Sequence, residues 1–174
     1  MNKQVVIING SAGVGKDEFV NQVKIIFSLD PNFPEVYNYS SVDWIKEVAI
    51  VMGWNGEKDE RSRKFLSELK DLSTQYNDMP FKKMSEVVEM FRKHHSLKIL
   101  FLHIREPEEI EKAKKEFDAK TLLIKSNRVK QVTSNHADAK VFEYNYDYTV
   151  NNDGTLDDLW NESCRFVNWL GVEI

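Results

Sequence analysis

Gly10-Ser11-Ala12-Gly13-Val14-Gly15-Lys16 is the stretch of this chain whose residue types and spacing most directly imply chemistry. Its glycines let a backbone curl until successive N–H groups converge, and the closing lysine adds a mobile positive charge. A chain of phosphates is the group that takes several such hydrogen bonds and one cation together. The string fills seven positions of the G-x-x-x-x-G-K-[ST] pattern, and its flanks suit that use. Gln4 to Asn9 is a short, β-branched, almost wholly apolar run, which predicts a strand buried on both faces. After the loop, Phe19, Val20, Val23, Ile26 and Phe27 recur at helical spacing up to Ser28. The helix N-terminus would add its dipole to the loop, and Lys16 would reach the β and γ phosphates of a nucleoside triphosphate.

The eighth position departs from the pattern, with Asp17 where a hydroxyl would ordinarily meet Mg²⁺. Two readings stand side by side. The carboxylate ligates the metal directly or through water, or it only caps the helix and complements its dipole.

The elements that must position this loop follow from the apolar pattern. Asp30 to Pro34 is turn chemistry, and Val36 to Ser40 reads as a second strand. Val42, Ile45, Val48, Ala49 and Met52 predict a helix, Gly53 to Gly56 a break, and Phe65, Leu66, Leu69 and Leu72 a second helix over Arg61 to Gln75. Met84, Val87, Val88 and Phe91 supply a third. Leu97 to Ile104 is the strongest strand signal and should be central. A helix runs from Glu106 towards Phe117, with Pro107 in its first turn, and Thr121 to Ile124 makes a fourth strand. Residues 125–145 are polar and lack periodicity, which predicts a loop or mobile lid. Tyr146 to Val150 gives a fifth strand, and Leu156, Leu159, Trp160, Phe166 and Leu170 lie along a last helix. The fold class expected is α/β, a three-layer P-loop NTPase fold with a mostly parallel five-stranded sheet. It forms one domain over 1–174, with a substrate-binding helical insertion at about 42–93 and a lid-like loop at about 125–145.

Composition bounds the partners. The 174 residues are 41% hydrophobic and 30% charged, as in a soluble globular domain, and the net charge of -4 offers no general attraction to a nucleic acid polymer or an anionic membrane. The single cysteine, Cys164, rules out an internal disulfide and reads as a small core residue. With no apolar run approaching the ~18 residues of a membrane span and no secretory pattern near Met1, a cytoplasmic location is expected.

The Gly15-Lys16-Asp17 ending, with a downstream strand that finishes on an arginine, resembles the deoxynucleoside monophosphate kinases of phages and bacteria, within the nucleoside monophosphate kinase-like P-loop proteins. Animal-type phosphomevalonate kinases share the Gly-Lys-Asp ending. Further along, Arg63-Lys-Phe-Leu66 is similar to the Arg-x-x-Leu of the family's substrate-side helix. His103-Ile-Arg105-Glu-Pro-Glu-Glu109 is similar to its Asp-x-Arg-x-x-x-Glu, and Asp147 to Leu156 to its last strand and turn, which pass near the nucleotide base. The resemblance implies a kinase fold, ATP and Mg²⁺ as cofactors, and a (deoxy)nucleoside monophosphate as acceptor. A kinase of another phosphorylated metabolite, of phosphomevalonate or dephospho-coenzyme A type, is the alternative. At one point the chain differs: His103 stands where the family has an aspartate beside the Mg²⁺ hydration shell.

Phosphoryl transfer needs cations that align two phosphate groups, so arginines from several elements should converge on Lys16. Arg105, at the carboxyl end of the central strand, is the first candidate, with an ion pair to Glu108 or Glu109 as its bland reading. Arg128 in the proposed lid would screen the γ phosphate from water, or is an ordinary loop arginine. Arg63 and, less strongly, Lys46 would hold the acceptor's phosphate, against the simpler reading of solvated helix faces. Glu57 to Arg63 and Glu106 to Lys115 read as solvated charged faces. Tyr37, Tyr39 and Trp44 are core residues or line the acceptor pocket. His94-His95 has no spaced partner ligands for zinc. A nucleotide-binding protein with little transfer activity is the second class, suggested by Asp17 and His103. A GTPase switch is disfavoured because no Asn-Lys-x-Asp base-reading motif is present.

Overall fold

The computed structural model describes residues 3–27, 35–129, 141–142 and 144–172. Five strands, β1 (Gln4–Asn9), β2 (Val36–Ser40), β3 (Ile99–His103), β4 (Lys120–Lys125) and β5 (Tyr148–Asn151), form one sheet in the order β2-β3-β1-β4-β5. Every pairing in it is parallel. Parallel neighbours need crossovers, and the helices supply them. They are α1 (Lys16–Phe27), α2 (Asp43–Val51), α3 (Glu60–Asn77), α4 (Met79–Lys93), α5 (Pro107–Phe117) and α6 (Leu156–Leu170).

The pleat of β1 explains why its run is apolar throughout. Val6 and Ile8 face one side, with α1 and α6, where Phe19, Phe101 and Phe166 meet edge-to-face or stacked. Val5 and Ile7 face the other, against Phe81, Met84, Val88 and Phe91 of α4 and Ile110 and Ala113 of α5. Helices therefore cover both faces of the sheet, and the glycine-rich loop joins its middle strand to the first helix. This is the three-layer α/β P-loop NTPase fold, with the register placing Asn9, Ser40, His103, Lys125 and Asn151 along the carboxyl edge of the sheet.

Several expectations shift. The strand expected to be central, β3, begins at Ile99, not Leu97, and lies beside the middle strand β1 rather than at the centre. The last strand starts at Tyr148, because Asp147 is held before it by Thr121 and Lys114. The helical period of Phe65, Leu66, Leu69 and Leu72 does form α3, but Leu72 is exposed and the other three are only half-buried, so this helix lies on the rim rather than in the core. Cys164 is half-buried rather than a core residue. The charged run after Glu106 is not wholly solvated: Glu109 forms a 2.6 Å ion pair with Lys70 of α3, and neither side chain is more than 18% exposed. Tyr39 packs against the α4–α5 core while Tyr37 is exposed. The start of the expected lid, residues 126–129, is a turn bonded to Asp153, and Val141 near its far end is fully buried. Residues 130–140 and 143 of that loop, and the turn at 30–34, lie outside the described residues. No described helix is long and apolar enough to cross a membrane.

Candidate active site

The phosphate loop is built on close approaches that exclude side chains. Gly10 has φ +146°, and a Cβ there would fall 2.2 Å from the Ile124 carbonyl oxygen of β4. At Gly15, with φ +94°, it would fall 2.3 Å from the Asn152 amide nitrogen. Two walls, β4 and the turn after β5, thus press on the loop, and glycine is what fits between. Lys16 opens α1 and donates through Nζ to the carbonyls of Gly10 and Ser11, the latter at 2.9 Å. Its ammonium is thereby held over the loop, where phosphate oxygens would compete for its protons. Ser11 and Val14 are buried, whereas Ala12 and Gly13 are exposed at the crest.

Asn9 ties the loop to the neighbouring strand. It is 1% exposed and uses its amide fully: Oδ1 accepts from the Gly10 N–H (2.8 Å), and Nδ2 donates to the Arg105 carbonyl (3.2 Å) and the Tyr146 hydroxyl (2.8 Å). Tyr146 passes the chain on to the Val141 carbonyl at 2.9 Å. A buried amide satisfied on both ends fixes the backbone at Arg105 relative to the loop. Arg105 itself is exposed just past the end of β3.

His103 lies beside this cation pair. Burial first, then Lys16 and Arg105, push its imidazole pKa down to about 4, against the pull of Asp17 and Asp43. The ring is therefore neutral at pH 7. Its Nε2 lies 2.8 Å from Asn38 Oδ1, so Nε2 carries the proton and Nδ1 is left as an acceptor. Lys16, Asp17, Asp43 and Arg105 thus all act on the charge of His103 at the carboxyl edge of β1, β2 and β3. Asp17 is exposed in the first turn of α1, and among the described residues no hydrogen bond or ion pair engages its carboxylate.

The acceptor-side candidates are arranged differently. Lys46 is bonded to Asp43 Oδ1 at 2.9 Å, and Asp43 Oδ2 accepts the Ser40 N–H at 2.7 Å. Arg63 lies exposed near the start of α3, and its side chain makes no hydrogen bond or ion pair among the described residues. Arg128 lies apart from both, beside the glycine-rich loop. Its Nη2 donates to the Asn152 carbonyl at 2.7 Å and to Asn152 Oδ1 at 3.4 Å, next to the phosphate loop.

No family model matches the chain, and no curated protein matches it. Among solved structures it is similar to the APS kinase of Mycobacterium tuberculosis, at 12% identity over 96% of this chain and 98% of that one, with a TM-score of 0.43. It is similar also to the shikimate kinase of Aquifex aeolicus, at 14% identity over 97% and 98% with a TM-score of 0.46. A third similar structure is a de novo designed protein of the P-loop NTPase fold, at 17% identity over 98% and 94% with a TM-score of 0.39. Likeness at this level concerns the path of the chain; what the site does depends on its own residues.

Three residues at this edge escape motif reading: Asn9, Asp43 and Asn152. Asn9 carried a usable signal, since an amide closing an apolar strand must find partners once buried. Asp43 follows Ser40-Ser41 as the first residue of a helix, a common place for an acid with no further role. Asn152 sits in an Asn-Asn-Asp-Gly turn whose neighbours in space, Val14 and Arg128, are far away in the sequence.

The exposed Asp17 carboxylate, with Asp43 also acting on the neutral imidazole of His103, suits Mg²⁺, which keeps most of its waters and takes one or two carboxylates together with substrate phosphates. Among the described residues, no cluster of three or more acidic, histidine or cysteine side chains forms a self-sufficient metal site.

Proposed function

We propose that this chain is an ATP-dependent phosphotransferase acting on a small phosphorylated acceptor, a (deoxy)nucleoside monophosphate by resemblance. The observation that carries this reading is a glycine-rich loop, walled by β4 and the turn after β5 and closed by Lys16, beside the β3 end that carries His103 and Arg105, with Lys16, Asp17 and Arg105 all acting on the charge of His103. Phosphoryl transfer asks little covalent chemistry of a protein; it asks for alignment and for positive charge where negative charge spreads.

In this reading the N–H groups of Gly10 to Lys16 cradle the triphosphate, and Lys16 exchanges its bonds to the Gly10 and Ser11 carbonyls for bonds to phosphate oxygens. Arg105, its backbone fixed through Asn9, faces the transferring group from the adjoining strand. Arg128 lies on the far wall of the loop. Asp17 would hold Mg²⁺, which when bound neutralises phosphate charge. His103, neutral, offers Nδ1 as a hydrogen-bond acceptor where the resembled family has a carboxylate. Arg63 and Lys46 would bind the acceptor phosphate, and the half-buried Tyr39 and Trp44 lie on the same side. A phosphorylated metabolite of the phosphomevalonate or dephospho-coenzyme A type fits the same cations.

The neutral His103 and Asp17, at the two positions associated with the metal, favour one other reading, a nucleotide-binding protein with little transfer. A panel of monophosphate acceptors with ATP and Mg²⁺, followed by ADP release, decides between them. Acceptor-dependent ADP supports the kinase. Tight ATP binding with no turnover across the panel supports the binding protein.

A further inference from the structure

Asn152 stands where three parts of the phosphate site meet. Its N–H donates to the Lys125 carbonyl at the end of β4 (2.7 Å), and its amide Nδ2 donates to the Val14 carbonyl inside the phosphate loop (2.9 Å). Its own carbonyl and Oδ1 both accept from Arg128 Nη2. Only one orientation of the amide serves both sides, because a carbonyl needs a donor and a guanidinium needs an acceptor.

The residue has little freedom to do otherwise. The adjacent Asp153 accepts from Ser126 Oγ, the Asn127 N–H and Asn127 Nδ2, which pins the 126–129 turn to the end of β5. Two residues on, Thr155 and Asp158 close a capping box at the start of α6. The Asn152 amide is also wedged against Gly15, where any Cβ would collide with it. Val129 completes the contact, lying 3.9 Å from where a Cβ of Gly13 would be. The segment carrying Arg128 is therefore fastened along the loop. Asn152 engages only Nη2 of the guanidinium, so among the described residues the N–H donors on Nε and Nη1 remain for other acceptors such as phosphate oxygens.

We propose that Asn152 is a positioning residue that locks the phosphate loop and the Arg128 guanidinium into one unit, so that a bound triphosphate meets an arginine already oriented. This rests on the triphosphate-site reading above. A pre-oriented cation raises affinity because the cost of ordering its long side chain is met during folding, not on binding.

A double-mutant cycle tests it, with the full chain, Mg²⁺ and a non-hydrolysable ATP analogue, reading Kd by calorimetry and folding by thermal unfolding. N152A and R128A are each expected to weaken binding by about tenfold, and N152A/R128A by no more than R128A alone, since Asn152 would act on the triphosphate only through Arg128. N152D keeps the acceptors for Arg128 and loses the donor to Val14, so R128A should still matter in that background. This second cycle stands even where N152A does not fold. Losses that add in the N152A cycle, analogue binding by N152A equal to wild type, or no effect of R128A in the N152D background would each overturn the proposal. A merely structural role would move unfolding temperature without coupling to Arg128. K16A separates the two levels: retained affinity in K16A overturns the triphosphate site itself, whereas lost affinity there with an additive cycle overturns only the role of Asn152.

Discussion

The two rims of the site are held by different physics. The phosphate-loop rim, from Asn9 through Val14 to Asn152 and Arg128, is built of backbone groups and satisfied amides that pass hydrogen bonds from β1 to β3, β4 and β5. The opposite rim, α2 and α3, is held by charge pairs: Lys46 with Asp43 on the surface and Lys70 with Glu109 beneath. A rim of backbone and amide bonds that constrain one another presents one geometry to an invariant group such as a triphosphate. A rim of long, paired side chains can exchange partners, which suits an acceptor whose shape varies.

The sharpest way to break the contrast is at Lys16. K16A should weaken Mg²⁺-ATP analogue binding by roughly a hundredfold or more, through loss of a charge-assisted contact to two phosphates, as read by calorimetry. Next in size is the hidden pair of the other rim. E109A leaves the Lys70 ammonium partly buried without its partner and should cost about 2–3 kcal/mol in urea unfolding. A loss below ~0.5 kcal/mol would show that the pair carries little and that α3 is held otherwise. R63A should raise the acceptor KM by about tenfold while leaving the ATP KM unchanged. Equal changes in both would erase the division into donor and acceptor rims.

His103 tests the boundary between the rims. Its folded pKa, about 4, lies below the ordinary value of 6.5, so the unfolded chain binds the extra proton first. The contribution is fully present above about pH 6.5 and is lost as pH falls from there towards 4, facing Asp17, Asp43, Lys16 and Arg105 throughout. H103Q should flatten the stability profile over that interval relative to wild type, while the carboxylates whose pKa values are lowered keep their own acid dependence. Parallel profiles would mean that the imidazole titrates like an exposed one. The smallest effect belongs to K46A: with both partners of its pair more than a third exposed, the stability change should stay under about 1 kcal/mol, so any larger rise in acceptor KM reports substrate binding.

How much of this was legible depends on the range of the forces involved. The strands, the helices and the phosphate loop could be read because each is a local pattern: an apolar run of period two or an unbroken stretch, a stripe of period 3.6, glycines at fixed spacing. Where local pattern misled, a tertiary choice intervened. Leu72 keeps the helical period yet faces solvent, because α3 has no layer outside it. Glu109 reads as a solvated acid yet is largely covered, because α3 brings Lys70 over α5.

By itself the sequence determined that Gly10 to Lys16 forms a glycine-rich loop, closed by a lysine, between a buried strand and a helix, since glycine freedom and the flanking apolar periods are local properties. It also placed Arg105 at a strand's carboxyl end. Only the tertiary structure decided which walls close on that loop. Asn152 and Arg128 lie more than a hundred residues from Gly15 along the chain, and their contact exists because β4 and β5 pair in parallel and return both turns to the same edge. Gly15 therefore has two physical reasons, one local and one distant: the turn needs positive φ, and the Asn152 amide leaves no space for a side chain.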